Sequence, residues 1–230
     1  MVGSTHGEED GDVHGTVRRT GRRQGVSSTR QDIIRSAQKL FAERGYRGAT
    51  TRAIARDAQV DSALIHHFFT TKEGVFVAAI TDAFQPDAIL ESVLAPGPGT
   101  VGERLIRSIL VLWDDPETRD PMQAMVRSAV SHESAARLVS DFVTEQVIGQ
   151  IVDANAASHK ALRTTLIGTQ VIGMLMVRYM IGIEPLASLA PDAVVLLLGP
   201  IVDRYLSDDL DAAQKPEPKG MVSATNRGRH

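Results

Sequence analysis

The 230-residue chain is expected to fold as an all-α protein, with an N-terminal three-helix head containing a helix-turn-helix and a larger helical body behind it. Three observations predict this. Apolar residues recur at one-turn spacing in segment after segment, and no stretch alternates as a half-buried strand would. The run TTRAIARDAQVDSALIHHFFTTK, residues 50–72, reads as two short helices around a tight turn. Charge is also divided along the chain: Arg18 to Lys72 carries 12 Lys/Arg against 4 Asp/Glu, whereas Glu73 to His230 carries 13 against 20. A basic head built on a helix-turn-helix suits phosphate neutralisation, the salt-dependent and sequence-independent part of DNA binding.

Composition narrows the class further. An apolar content of 43% over this length supports a proper core. The absence of cysteine excludes a disulfide framework, a thiolate metal site and a Cys nucleophile. No apolar signal segment is seen near the start, so a cytoplasmic protein is expected. The expected organisation is a polar tail over 1–27, the head over 28–73, a regulatory and dimerisation body over 74–207, and a loose tail from 208.

In order, the tail ends in VRRTGRRQG, whose Arg18, Arg19, Arg22 and Arg23 form either a minor-groove arm or a solvated basic segment. The first helix is expected over Arg30 to Arg44, opened by a Ser28/Gln31 capping box and stopped by Gly45. Its stripe Ile33, Ile34, Ala37, Leu40 and Phe41 roofs the two short helices, which are too short to stand alone. The second helix is expected over Thr51 to Ala58 and the third over Ser62 to Phe69, capped by Asp61. In the third, Ile65 and Phe69 point inward and Ser62, Ala63, His66 and His67 outward. A recognition helix presents such a face to the major groove, although an ordinary helical hairpin has the same pattern. A fourth helix should run from Lys72 to Phe84, break at Pro86 and continue to Leu94. Helices over Val101 to Asp114, Met122 to Ser131 and Glu133 to Asn155 should follow, with Pro116 to Pro121 as a turn.

The last two helices, 160–183 and 190–206, are apolar on most of their circumference. Such helices must be covered on all sides. Thr164, Thr165, Gln170 and Arg178 interrupt the first and the second is short, so a second subunit is expected to cover them rather than a membrane. The interface residues expected are Gly168, Ile172, Leu175, Val194, Leu198 and Val202.

The runs IIRSAQKLFAERGYRGATTRAIARDAQV and IHHFFTTKEGVF carry a resemblance: residues 29 to about 80 resemble the DNA-binding domain of the tetracycline-repressor-like (TetR) family of bacterial regulators. The resemblance implies phosphate contact at Thr51, groove contact at Arg52, base reading at Ser62 and Ala63, a variable contact at His67, and a phosphate-binding Lys72. It also implies a dimer through the last two helices and a small-molecule pocket in the body. Candidates for that pocket are Trp113, Met122, Met125, Phe142, Gln146, Gln170 and Met174, whose Met and aromatic walls suit an apolar or amphipathic effector. Three departures stand out. Gln59 replaces the usual turn Gly, His66 replaces the usual Tyr, and Phe68 stands where His or Tyr is common.

Other classes fit poorly. His132-Glu133 lacks a second His four residues on, no phosphate loop or nucleophile elbow is present, and adjacent His66 and His67 diverge on a helix. No enzyme activity, metal or cofactor is therefore expected. The expected partners are an operator in double-stranded DNA, a small effector and a second copy of the chain. The function that follows is a homodimeric repressor released from a palindromic operator by its effector. The alternative is an architectural DNA binder that ignores ligands.

Overall fold

The computed structural model describes residues 21–130, 132–155 and 158–210, and every regular element among them is helical. Arg18, Arg19, the rest of the first 20 residues and the tail beyond residue 210 lie outside the described residues.

Helix α1 (Gly21–Gly48) begins well before the expected box, so Ser28 and Gln31 are interior residues and not an N-terminus. Arg22, Arg23 and Gln24 are good helix formers and carry the helix backward from its docked stripe. Gln31 instead reaches across the head, its Nε2 donating to Asp82 Oδ1 at 2.7 Å. Gln38 Nε2 donates to the other Asp82 oxygen at 2.9 Å, so one carboxylate ties α1 to α4. Gly45, at φ 67°, bends the path as expected and a last turn follows.

Helix α2 (Thr51–Asp57) is capped by Thr50, whose Oγ1 accepts from the Ala53 N–H at 3.2 Å. Its C-terminus closes in a Schellman arrangement: Val60 N–H donates to Ala55 O at 2.9 Å and Gln59 N–H to Arg56 O at 3.2 Å. That geometry puts Gln59 in the left-handed region, φ 55°, where a Cβ is disfavoured. Gln59→Gly is therefore expected to stabilise the protein by about 1 kcal/mol, raising Tm by about 3 °C in a thermal melt. A fall in Tm would mean that the Gln59 side chain contributes more than its backbone costs.

Helix α3 (Ser62–Phe69) starts where expected, with Asp61 Oδ1 accepting from the Ala63 N–H at 2.8 Å. Helix α4 (Lys72–Phe84) follows at once, capped by Thr71, whose Oγ1 accepts from Gly74 N–H at 3.1 Å. Gly74 is what lets the two meet, since a Cβ there would lie 2.2 Å from the Phe69 carbonyl oxygen. Ile33, Ile34, Leu40, Phe41, Ile54, Ile65, Val75, Phe76 and Ile80 fill the head. Phe76 meets the rings of Phe41 and Tyr46 edge-on, at 4.9 and 5.0 Å between centroids.

The body continues through α5 (Pro86–Leu94), after a left-handed Gln85, and α6 (Val101–Asp114), which opens with a Thr100/Glu103 capping box. Helix α7 (Pro116–Val130) corrects the expected turn: Pro116 begins the helix and Pro121 lies inside it. Proline fits a first turn because its missing N–H has no helical partner there. Helix α8 (Glu133–Asp141) runs through a π segment (Phe142–Ile148) into α9 (Gly149–Asn155), one continuous path with a widened turn. Gly149 makes that turn possible, because a Cβ would come within 2.3 Å of the Thr144 carbonyl oxygen its N–H bonds. Helix α10 (Lys160–Leu175) likewise runs into a π segment (Met176–Ile181), and α11 (Pro191–Ser207) closes the body. Arg163, 4% exposed, donates to the carbonyls of Ser158, Tyr205 and Asp208 and so ties the end of α11 to α10.

Candidate nucleic-acid interface

The outward face of α3 is as expected. Ile65 and Phe69 are buried, while Ser62, Ala63, His66 and His67 are all exposed. Small residues at the entry of this helix leave room for base edges, and the two rings stand one turn further on. Arg52 is exposed on α2, with Thr51 half-buried beside it as the first helical residue rather than the cap.

His66 is not a free donor. Its Nδ1 lies 2.6 Å from the Thr70 carbonyl oxygen, which can only accept, so Nδ1 carries the hydrogen. The remaining nitrogen, Nε2, is then an acceptor in the neutral ring and a donor only in the charged one. The Tyr-like donor that the resemblance implies here is thus conditional on protonation. The same bond holds the turn at Thr70, whose φ of 63° leads the chain directly from α3 into α4.

Lys72 is held by residues that sequence reading had given no role. Its ammonium lies 4.4 Å from the centre of the Tyr46 ring and 3.5 Å from the Arg47 carbonyl oxygen. Burial lowers its pKa from the ordinary lysine range. The Tyr46 hydroxyl donates to Glu73 Oε1 at 2.9 Å, and burial together with that bond pushes the phenol up to about 12. Glu73 is held below the usual carboxylate range, first by a bond to its own backbone N–H and then by Tyr46. The position of Tyr46, directly after the Gly45 bend, was the available signal: an aromatic there must fold back onto the head.

Most of the residues expected to line an effector pocket belong to the core of the body. Trp113, Met122, Met125, Phe142 and Met174 are packed into the core, Gln146 is exposed and Gln170 half-buried. Two cavities lie elsewhere and touch none of the seven. One of about 560 Å³ is an open groove along α1, α3 and α4, lined by Arg30, Phe68, Val77 and Asp82 among others. The other, of about 310 Å³, lies between the end of α1 and the α7–α8 corner.

Of the residues expected at a dimer face, only some are exposed in the single chain. Val194 and Val202 are fully buried within the chain, and Gly168 faces Ile148 of its own body. Ile172 is 49% exposed, and Leu175 and Leu198 are half-buried. The barest apolar side chains among the described residues are Val111, Ile181, Leu196 and Leu197, each more than 60% exposed. A helix apolar on two sides does not reveal which side its own core takes, and here α6 packs on the Asp192/Gly199/Asp203 side. By length and composition the stretch Lys160–Ile181 could cross a membrane, with mean hydropathy 1.3. Among the described residues no group of three His, Cys, Asp or Glu is placed to hold a metal ion.

Residues 33–79 match the sequence profile "Bacterial regulatory proteins, tetR family", and residues 99–206 match "Tetracyclin repressor-like, C-terminal domain". A TetR-family regulator of known crystal structure from Streptomyces coelicolor A3 is 34% identical, covers 82% of this chain and 99% of its own, and superimposes with a TM-score of 0.65. The chain belongs to the TetR family. The HTH-type transcriptional repressor AcnR of Corynebacterium glutamicum is 32% identical over 107 residues, 46% of this TetR-family chain and 51% of AcnR. The chain thus spans about half the length of that relative, and 28% of the AcnR of Corynebacterium diphtheriae. Salmonella enterica GusR, 16% identical with a TM-score of 0.56 over 78% of this chain and 95% of its own, shares the fold. The Streptomyces protein and AcnR are regulators rather than enzymes, which agrees with the sequence reading.

Proposed function

We propose that this TetR-family protein is a homodimeric, DNA-binding transcriptional repressor whose operator is palindromic and whose release is controlled by a small effector. The observation that carries the reading is the exposed Ser62/Ala63/His66/His67 face of α3, flanked by a seated Lys72, in a segment with 12 bases against 4 acids. A phosphate contact at Lys72 and Thr51 positions the head, and the α3 face selects sequence. The repressor relatives support the sign of regulation, and work on chromosomal DNA would place the protein in the cytoplasm.

Dimerisation would cover the bare apolar strip of Ile172, Leu196 and Leu197 on α10 and α11. A two-fold pair would set two α3 helices roughly 34 Å apart, or a multiple of it, to meet successive major grooves. Leu197→Arg is expected to convert the species seen by light scattering from dimer to monomer and to abolish protection of a full operator. A wild-type protein that elutes as a monomer at micromolar concentration would refute the dimer. Footprinting on fragments selected from random DNA tests the rest: a palindromic protected site supports the repressor, and uniform coverage would instead favour the architectural reading.

A further inference from the structure

The fold sets the hydrogen-bonding polarity of His66 before any DNA arrives. His66 and Thr70 exchange two bonds: the Thr70 N–H donates to the His66 carbonyl oxygen at 3.0 Å, and His66 Nδ1 lies 2.6 Å from the Thr70 carbonyl oxygen. A carbonyl oxygen only accepts, so Nδ1 holds the hydrogen of the neutral ring and Nε2 keeps a lone pair. Thr70 is itself pinned, at φ 63° between the end of α3 and the Thr71 cap of α4, so the tautomer is built into the turn. The two ring nitrogens bond in nearly opposite directions. With Nδ1 turned back onto the helix end, Nε2 looks away from it, on an exposed side chain whose ring has Thr70 as its polar partner among the described residues.

We propose that His66 is a base-reading residue of fixed polarity, an acceptor that selects an exocyclic amine, adenine N6 or cytosine N4, in the major groove. Those two amines are the donors that the groove edge presents, whereas guanine and thymine turn carbonyl oxygens to it. A phosphate, whose oxygens only accept, gains nothing from a bare lone pair. The backbone is left to cations such as Lys72. The inference rests on the DNA-binding reading above and names the chemical group that its α3 face selects.

Placement favours a base over the backbone. Ser62 and Ala63 precede His66 by one turn on the same exposed face, and neither is large enough to hold α3 off the groove floor. The bond to Thr70 fixes the ring before binding, so little rotamer freedom is lost when it meets a base. An acceptor that cannot change places with a donor also reads more selectively than an amide side chain, which presents both. His67 is the contrast. It meets the Phe68 ring edge-on at 5.0 Å, and among the described residues no hydrogen bond commits either of its nitrogens, so it can donate or accept.

The test uses the full chain at about pH 8, where histidine rings are neutral as a rule, on a duplex chosen by selection from random DNA. Each adenine or cytosine of one half-site is replaced in turn by purine or 2-pyrimidinone, the same base without its amine, and affinity is read by fluorescence anisotropy. At one position the wild type should lose about fivefold, whereas His66→Ala, already weaker, should lose nothing further. Base pairing is weakened equally for both proteins, so the coupling isolates the contact. Replacing purines by 7-deazapurines, which removes the acceptor N7, should show no coupling to His66. A long-range proton–nitrogen spectrum should find the ring hydrogen of His66 on Nδ1. A His66→Ala variant that had only loosened the turn would bind every duplex more weakly alike, with no position singled out, and that result overturns the proposal. So does coupling to N7 in place of an amine, or a ring hydrogen on Nε2. Failure to retain duplex DNA at low salt would sink the DNA-binding reading and this proposal with it, whereas retention without coupling sinks the proposal alone.

Discussion

Gly102→Ala is expected to lower the stability of the fold by about 3 kcal/mol, and with it Tm by roughly 6 to 12 °C. A Cβ at residue 102 would stand 2.2 Å from the carbonyl oxygen of Gly199 and 3.0 Å from the Asp203 carboxyl group. The first of these is backbone in the middle of α11, and rotamer changes do not move it. Helices α6 and α11 must therefore separate, and separation loosens Trp113, Leu105 and Val202, all buried in the body core. It also lengthens the bond from Gly102 N–H to Asp203 Oδ1, now 2.8 Å, by which α11 caps α6. Gly173→Ala is the control. Nothing lies within 4 Å of a Cβ there, so the exchange should be neutral or slightly stabilising in an isolated chain. A thermal melt of both variants checks the pair; equal effects would show that the α6–α11 crossing is not tight. A loss specific to Gly173→Ala would place a partner subunit at that point of α10.

The second large effect is on DNA. Lys72→Ala should reduce affinity by about tenfold for every sequence alike, and the slope of log K against log salt should flatten by about 0.9. The ammonium is already held by the Tyr46 ring and the Arg47 carbonyl, so little is lost in ordering it when a phosphate arrives. Ser62→Ala or His67→Ala should instead change which sequence is selected and leave the salt slope in place. Fluorescence anisotropy at several salt concentrations separates the two. If Lys72→Ala altered sequence preference while Ser62→Ala changed only the slope, the register of α3 on the groove would be wrong.

The head was legible because its signals are local. Asp61 before Ser62 and the Gly45 bend act within a turn of themselves, as does Pro86 at the start of the body, and the chain turns where those residues imply. Gln59 belongs to the same group: its exchange for Gly marked a left-handed turn, and φ there is 55°. The misread places depend on neighbours far along the chain. Ser28 and Gln31 look like a cap, yet the Gln31 side chain is engaged with Asp82 on α4. Pro121 looks like a stop, yet α7 runs through it and packs on α1.

By itself the sequence determined that the chain is helical, that its basic segment includes a helix-turn-helix, and that α3 turns Ser62, Ala63, His66 and His67 outward. Those outcomes follow from periodicity, capping chemistry and charge, which act over a few residues. Tertiary structure decided which side of α11 the core would claim and that Gly102 and Gly199 would make the close helix crossing. Each of these is a choice between apolar faces, or a meeting of groups, separated by tens of residues. Hydrophobic burial has no direction of its own, so only the packed chain can settle it.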